Sequence, residues 1–193
     1  MTLGILGSGS GSNMQAILDA IASGTLDARV ALVLSDNPDA YILERARSHG
    51  IESGVIDCHG FRTKFPGDAQ RETANRLKAA GVELVCLAGF MRMVKRPLLE
   101  AFPGRIINIH PALLPAFPGL EAWKQALDAG VPETGATVHY VDEGMDTGPV
   151  ILQETVPVLH GDTTETLHAR IQKVEHRIYP AAIRLIAARS AVR

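Results

Sequence analysis

The sequence offers little from which covalent or metal cross-links could be built, with only two cysteines in 193 residues. Cys58 and Cys86 are far apart and set in apolar surroundings. That pattern excludes a disulfide framework and a cysteine-rich metal site, and it reads as a pair of buried cytosolic thiols. An excess of charge of one sign is equally lacking. Basic residues number 19 against 21 acidic, for a net charge of −2, without a long run of either. Neither a nucleic-acid surface nor an anionic-membrane surface is implied, although a small anion can still bind locally. The longest apolar runs, such as LVCLAGFM at 84–91, fall far short of the roughly 20 residues that span a bilayer. No basic leader precedes the opening TLGIL, so a cytoplasmic location is expected. Repeats, linkers and low-complexity segments are lacking as well. What is present is 46% hydrophobic residues, enough at this length for one well-buried core and rather little for two.

Hydrophobic spacing alternates between the two regular periods. TLGILG (2–7), ARVALVLSD (28–36), ESGVID (52–57) and VELVCLAG (82–89) read as strands, and RIINIH (105–110) as a further one. Between them NMQAILDAIASG (13–24), AYILERARSHG (40–50) and AQRETANRLKAAG (69–81) read as helices. Near-continuous apolar strands separated by helices predict an α/β fold with a mostly parallel sheet covered on both faces. After residue 110 the style changes. TGATVHYVD (134–142) and GPVILQETVPV (148–158) alternate apolar and polar residues around a turn, which predicts an antiparallel C-terminal strand pair. A final helix from about Glu165 to Ala188 is expected to pack back on the sheet, kinked at Pro180.

Three segments carry chemistry. GSGSGSN, from Gly7 to Asn13, joins the first strand to the first helix, where backbone amides and the helix dipole converge on an anion. Phosphate is the natural guest, and the alternative is a tight turn capped by Ser12 or Asn13. A dinucleotide fingerprint would place glycine at position 12, which is Ser12 here; Asp36, at the end of the second strand, keeps that reading in play. In NIHPALLPAFPG (108–119), Asn108 and His110 stand two apart at a strand end and share a face. Together they offer an amide donor for a developing oxyanion and an imidazole for proton handling. Prolines 111, 115 and 118 stiffen the turn, and its apolar residues exclude water. DEGMDTGPV (142–150) supplies carboxylates, with Asp146 set among residues that let it point inward. Beside His110 it would orient the ring and favour its protonated form. Taken alone, the turn is equally an acidic, solvated hairpin. His139, inside an alternating strand, reads as structural.

These segments together resemble the folate-dependent formyltransferase family, most closely its members in purine synthesis. LGSGSGSNMQAI, LERARSHGI, LAGFMRMV, NIHPALLPAFPGL, GATVHYVDEGMDTGPVILQ and VEHRIYP fall in the family's order over nearly the whole chain. The resemblance implies a single-domain, Rossmann-like formyltransferase fold over 1–193, with a phosphate-binding half of about 1–100 and a catalytic, folate-binding half of about 101–193. It implies transfer of the formyl group of 10-formyltetrahydrofolate to the amine of glycinamide ribonucleotide, in the route to IMP and without a metal. Asn108, His110 and Asp146 correspond to the family's catalytic trio, Gly11, Ser12 and Asn13 to its phosphate cradle, and Glu175 to the residue that holds the ribose hydroxyls. Lys64, Arg92, Met93, Val94, Val141, Asp142, Glu143 and Gly144, with Asn108 and Asp146, match the folate-binding positions. Two positions depart from the pattern. Ala116 stands where Lys or Ser is usual, and Lys64 replaces an arginine that contacts the folate tail, keeping the charge without the bidentate fork. No residues remain for the extra domain of relatives that act on initiator transfer RNA or hydrolyse formyl-folate. Small molecules are thus the expected partners, for a monomer or a homodimer. A formyl-folate hydrolase, using the same trio on water, and a non-enzymatic nucleotide-binding module are the rival readings; the module leaves NIHP and DEGMD without a role.

Overall fold

In a computed structural model that describes residues 1–190, the strands are β1 (Thr2–Leu6), β2 (Arg29–Ser35), β3 (Ser53–Val55), β4 (Leu84–Leu87), β5 (Ile106–His110), β6 (Glu133–Tyr140) and β7 (Val150–Pro157). The helices are α1 (Ser12–Ala22), α2 (Tyr41–Ser48), α3 (Gly67–Ala79), α4 (Arg96–Ala101), α5 (Ala122–Asp128) and α6 (Thr164–Ser190). The strands form one sheet in the order β3-β2-β1-β4-β5-β6-β7. Its first five strands are parallel, while β6 runs antiparallel to β5 and β7 antiparallel to β6. The α/β architecture with an antiparallel C-terminal pair is therefore as the periodicity implies. Two short helices, α4 and α5, join the elements legible in the sequence, and α6 passes through Pro180 as a single helix.

The strand alternation sorts side chains into two cores. Leu3 and Ile5 of β1, Val33 of β2, Cys86 of β4 and Ile107 and Ile109 of β5 face the cluster built with Met14 and Ile17 of α1 and Ile178 and Ile183 of α6. Leu6, Leu34, Val85, Leu87 and Ile106 face the opposite cluster, with Leu77 of α3 and Leu98 of α4. Neither α1 nor α4 is long enough to be stable alone, so burial of these apolar faces holds the helices in place. Asn108 and His110 share the parity of Ile106, so they emerge on the α3/α4 face of the sheet.

Between β1 and β4 the strand order reverses, and the loops after the two strands part there. Such a switch point is where open α/β sheets leave a crevice for ligands. The chain links its two walls directly: Ser8 N–H donates to the Gly89 carbonyl at 3.0 Å, and Met91 N–H to Ser8 Oγ at 2.9 Å. No described helix is long and apolar enough to cross a membrane.

Candidate active site

The glycine loop reaches α1 through Gly11, whose φ of 74° is left-handed. That backbone suits glycine, and the space demands it too, since a Cβ there would lie 2.9 Å from the Ile42 Cα. The Ile42 N–H donates to the Gly9 carbonyl at 3.0 Å, strapping the loop to α2. No side chain caps α1. The alternative of a turn capped by Ser12 or Asn13 therefore does not hold, and the first-turn N–H groups of an uncapped helix are what an anion binds. The Asn13 side chain instead donates from Nδ2 to Glu175 Oε2 at 3.2 Å. Glu175 is 5% exposed, and burial pushes its carboxyl up to about 7, with the Asn13 hydrogen bond opposing. Asn13 Oδ1 is buried without a partner among the described residues. A group with hydroxyl donors would satisfy both.

Asp36 does not lie open at the end of β2 as a ribose-binding carboxylate would. It accepts from Ser8 Oγ at 2.5 Å and from Arg92 Nε at 2.5 Å, in an ion pair that is nearly fully buried. This commitment removes the dinucleotide reading. It also bears on Arg92, whose guanidinium bonds the Phe61 carbonyl at 2.8 Å and the Lys64 carbonyl. Arg92 thus ties the 61–64 segment to β2, leaving its backbone, with Met93 and Val94, as the part able to line a crevice. The Lys64 ammonium lies 5.0 Å from the centre of the Phe61 ring.

Asn108, His110 and Asp146 converge, and the route by which they do so was not evident from the sequence. Because β6 runs antiparallel, with Tyr140 opposite Ile107, the chain leaves β6 toward the amino end of β5. The 142–149 loop must then fold back across the sheet face to bring Asp146 over the pair. Gly148 permits this, since a Cβ there would collide with the Tyr140 carbonyl. Asp142 Oδ1 fastens the turn by accepting from Gly144 N–H at 2.9 Å and Thr147 Oγ1 at 2.7 Å. Lys95 Nζ donates to the Glu143 carbonyl at 2.8 Å and Arg96 pairs with the Glu143 carboxylate at 2.9 Å, joining this loop to the start of α4. Asp146 itself has a φ of 56°, a left-handed conformation that aspartate tolerates better than most side chains. Val141 holds the loop's root with its N–H on the Ile106 carbonyl at 2.9 Å.

At the centre, His110 Nδ1 stands 3.4 Å from Asp146 Oδ2, and its Nε2 lies 2.8 Å from the Phe117 carbonyl. A carbonyl only accepts, so Nε2 carries the proton and Nδ1 faces the carboxylate. Burial lowers the His110 pKa, outweighing the opposite pull of Asp146 and the Phe117 carbonyl. The ring therefore rests neutral, not protonated as expected from the carboxylate alone: removal from water costs the imidazolium more than one partner returns. Burial alone would raise the Asp146 carboxyl. It nonetheless sits below the usual carboxylate range, held there by the His139 ring, the Gly119 N–H and the nearby imidazoles. The Gly119 contact, at 2.9 Å, is the firm one; His139 Nε2 is 3.6 Å away.

His139 is the residue that sequence reasoning set aside. It lies opposite Asn108 in the β5–β6 register, 2% exposed, and Asn108 Nδ2 approaches its Nε2 at 3.2 Å. The second Asn108 N–H reaches Asp146 Oδ1 only at 3.5 Å, so it can turn to another acceptor. Thr137, paired with His110, holds the following turn from beneath: its hydroxyl donates to the Ala112 carbonyl at 2.6 Å and accepts from Leu114 N–H at 3.1 Å. Strand parity could have flagged both, given the register. Across the molecule, Tyr179 donates to the Leu87 carbonyl at 2.7 Å, one helical turn beyond Glu175, so α6 is pinned to the sheet beside the cradle. Among the described residues no cluster of His, Cys, Asp and Glu could hold a metal.

Comparisons with known proteins place the chain in a family. The formyl transferase family matches residues 1–183. The trifunctional purine biosynthetic protein adenosine-3 of Drosophila pseudoobscura pseudoobscura is 49% identical over 185 residues, which is 95% of this chain but 13% of that protein. The phosphoribosylglycinamide formyltransferase of Bacillus subtilis (strain 168) is 44% identical over 93% of this chain and 91% of its own length. The crystal structure of glycinamide ribonucleotide transformylase 1 from Symbiobacterium toebii superposes with a TM-score of 0.93 at 55% identity, covering 97% of this chain and 88% of that one. With a family match over residues 1–183, near-complete coverage by relatives and a shared fold, the chain belongs to the formyl transferase family.

Proposed function

We propose that this chain is a phosphoribosylglycinamide formyltransferase, moving the formyl group of 10-formyltetrahydrofolate to the amine of glycinamide ribonucleotide in de novo purine synthesis. The observation that carries the reading is the convergence of Asn108, His110 and Asp146 at the carboxyl end of β5, on the same edge of the sheet as the uncapped start of α1 that follows β1. The first suits acyl transfer and the second a phosphate, and the acceptor in this reaction carries both an amine and a phosphate. The relatives' names support the same acceptor and the same transferred group.

The folate supplies an electrophilic formyl carbon and a leaving nitrogen. Met93, Val94 and the backbone of Arg92 form one wall for it, and Val141, Asp142, Glu143 and Gly144 the other, with exposed Met91 and Met145 as apolar rims. Lys64 offers a cation to the tail. The Lys95 and Arg96 bonds to Glu143 keep the two walls at a fixed separation.

As the amine attacks, negative charge develops on the formyl oxygen. The loosely held Asn108 N–H turns to it, and His110, whose Nε2 proton is committed to the Phe117 carbonyl, stabilises it only once Nδ1 has taken up a proton. Asp146, ionised in the resting site, accepts the proton that the attacking nitrogen must lose and passes it to the folate nitrogen, which departs as the tetrahedral intermediate collapses and its bond to the formyl carbon breaks. His110 Nδ1 faces the same carboxylate, so a proton taken up there is stabilised by it. Gly11, Ser12 and Asn13 hold the phosphate, and Glu175 the ribose hydroxyls. Catalysis on this account consists of positioning plus one proton relay from the attacking to the leaving nitrogen, and no step requires a metal.

Folate release followed spectrophotometrically, with and without glycinamide ribonucleotide, tests the reading. Release that depends on the ribonucleotide, with one formylated product per folate released, is expected. Equal release without the acceptor would identify a hydrolase instead.

A further inference from the structure

The LERARSHGI segment forms α2, whose buried face consists of Ile42, Leu43 and Ala46. Arg45 lies off that face and is held on three sides. Its Nε donates to the Ser10 carbonyl at 2.8 Å, its Nη1 to Gln15 Oε1 at 3.2 Å, and its guanidinium carbon stands 4.9 Å from the centre of the Tyr41 ring. Nη2 takes no part in these bonds. An arginine this rich in rotamers loses much of its freedom when so held, and packing of α2 does not require it.

Arg45 also forms one wall of a cavity of about 370 Å³, together with Ser12, Gln15, Ala16, Asp19 and His176. His176 enters from α6. Its Nε2 is buried and has no hydrogen-bond partner among the described residues. Burial depresses the ring's pKa, with Asp19 opposing and Arg45 assisting. A buried ring nitrogen left without a partner costs free energy, and the His176 ring that carries it lines the cavity. The cavity is also polarised. Ser12, Ala16 and Asp19 follow one another down one face of α1. The start of the helix and the Arg45 bond to the loop lie at the Ser12 end. At the other end is Asp19, which accepts from Gln15 Nε2 at 2.9 Å. An anion is attracted to the loop end and repelled from the Asp19 end.

We propose that Arg45 is a positioning residue for the phosphate of the acceptor, completing the cradle that Gly11, Ser12 and Asn13 begin, with the His176 ring as a second contact on the α6 side. This rests on the ribonucleotide reading above. Arg45 acts in two ways. Its Nε bond fixes the Ser10 carbonyl and so the direction of the loop's amides, and its remaining N–H groups and charge face the cavity where the phosphate's outer oxygens would lie. Gln15 bridges Arg45 to Asp19, which keeps the guanidinium from collapsing onto that carboxylate.

The test compares glycinamide ribonucleotide with its dephosphorylated riboside, each titrated calorimetrically into the wild type, Arg45→Met and His176→Phe. The phosphate's contribution, read as the ratio of the two affinities, is expected to fall on the order of 10-fold in Arg45→Met, less in His176→Phe, with KM for formyl-folate unmoved. A ratio unchanged from the wild type, or affinities for both ligands that fall in parallel, would overturn the proposal. If Arg45→Met does not fold, Arg45→Lys replaces it and should lose part of the ratio, because charge remains while the fork is lost. The formyl-transfer reading fails separately: a wild type that binds the ribonucleotide with an Arg45-dependent phosphate contribution, yet transfers no formyl group to it, keeps the anion wall and loses the reaction.

Discussion

At the scale of single residues, the clearest pH dependence belongs to Glu175, whose carboxyl is buried with Asn13 as its hydrogen-bond partner. Its folded pKa is raised from the ordinary 4.5 to about 7. A carboxyl raised in this way contributes stability that is fully present below about 4.5 and lost as pH rises through about 7, because the folded protein must then bury the charge. The shift corresponds to about 3 kcal/mol at most. Thermal unfolding of the ligand-free protein should therefore show a melting temperature that declines from pH 5 toward pH 8, and Glu175→Gln should flatten that decline. A wild-type curve already flat in this window would mean that Glu175 is not held as described. Asn108 and His110 were legible because two residues of one short strand share a face whatever the strand pairs with. His139 was not, because its place opposite Asn108 exists only once β5 and β6 are in register. The neutral resting state of His110 was hidden for a similar reason: sequence shows the neighbouring carboxylate, but not the depth of burial that outweighs it.

At the scale of elements, the glycine loop combines a backbone requirement with a packing one. Gly11→Ala should cost stability twice, through about 1–2 kcal/mol for a left-handed alanine and through the approach of its Cβ to the Ile42 backbone. Gly9→Ala, whose Cβ would meet nothing within 4 Å, should melt close to the wild type. Denaturant unfolding of the two variants checks the contrast, and equal losses would mean that the loop is not braced against α2. Only the first of these glycines is called for by local geometry, a distinction that GSGSGSN as a string does not make. The helices α4 and α5 escaped detection because six and seven residues are too few for an apolar period to stand out from neighbouring prolines and glycines. Their main signals are a proline at the start of α4 and a short apolar face on each. The long elements, β1 with α1 and the Glu165-led α6, were legible because their periods persist over several turns or pair with a clear stop.

At the scale of the whole molecule, the proposed function depends on two features of one sheet. Reversal of strand order between β1 and β4 opens the crevice, and reversal of strand direction at β6 sends the 142–149 loop back over the face that carries Asn108 and His110. Alternating strands and helices imply a parallel sheet but not where its order reverses; the second places the loop where no local pattern could put it. The central claim is that the fold brings Asp146 over the Asn108–His110 pair as the proton acceptor for formyl transfer, and Asp146→Asn addresses it most directly. Asparagine keeps the size and can still accept the Gly119 N–H, but it has neither charge nor basicity. Single-turnover formyl transfer, measured beside thermal unfolding, should fall by at least about 100-fold in a folded Asp146→Asn protein that still binds both substrates. A folded variant that transfers the formyl group at nearly the wild-type rate would contradict the account.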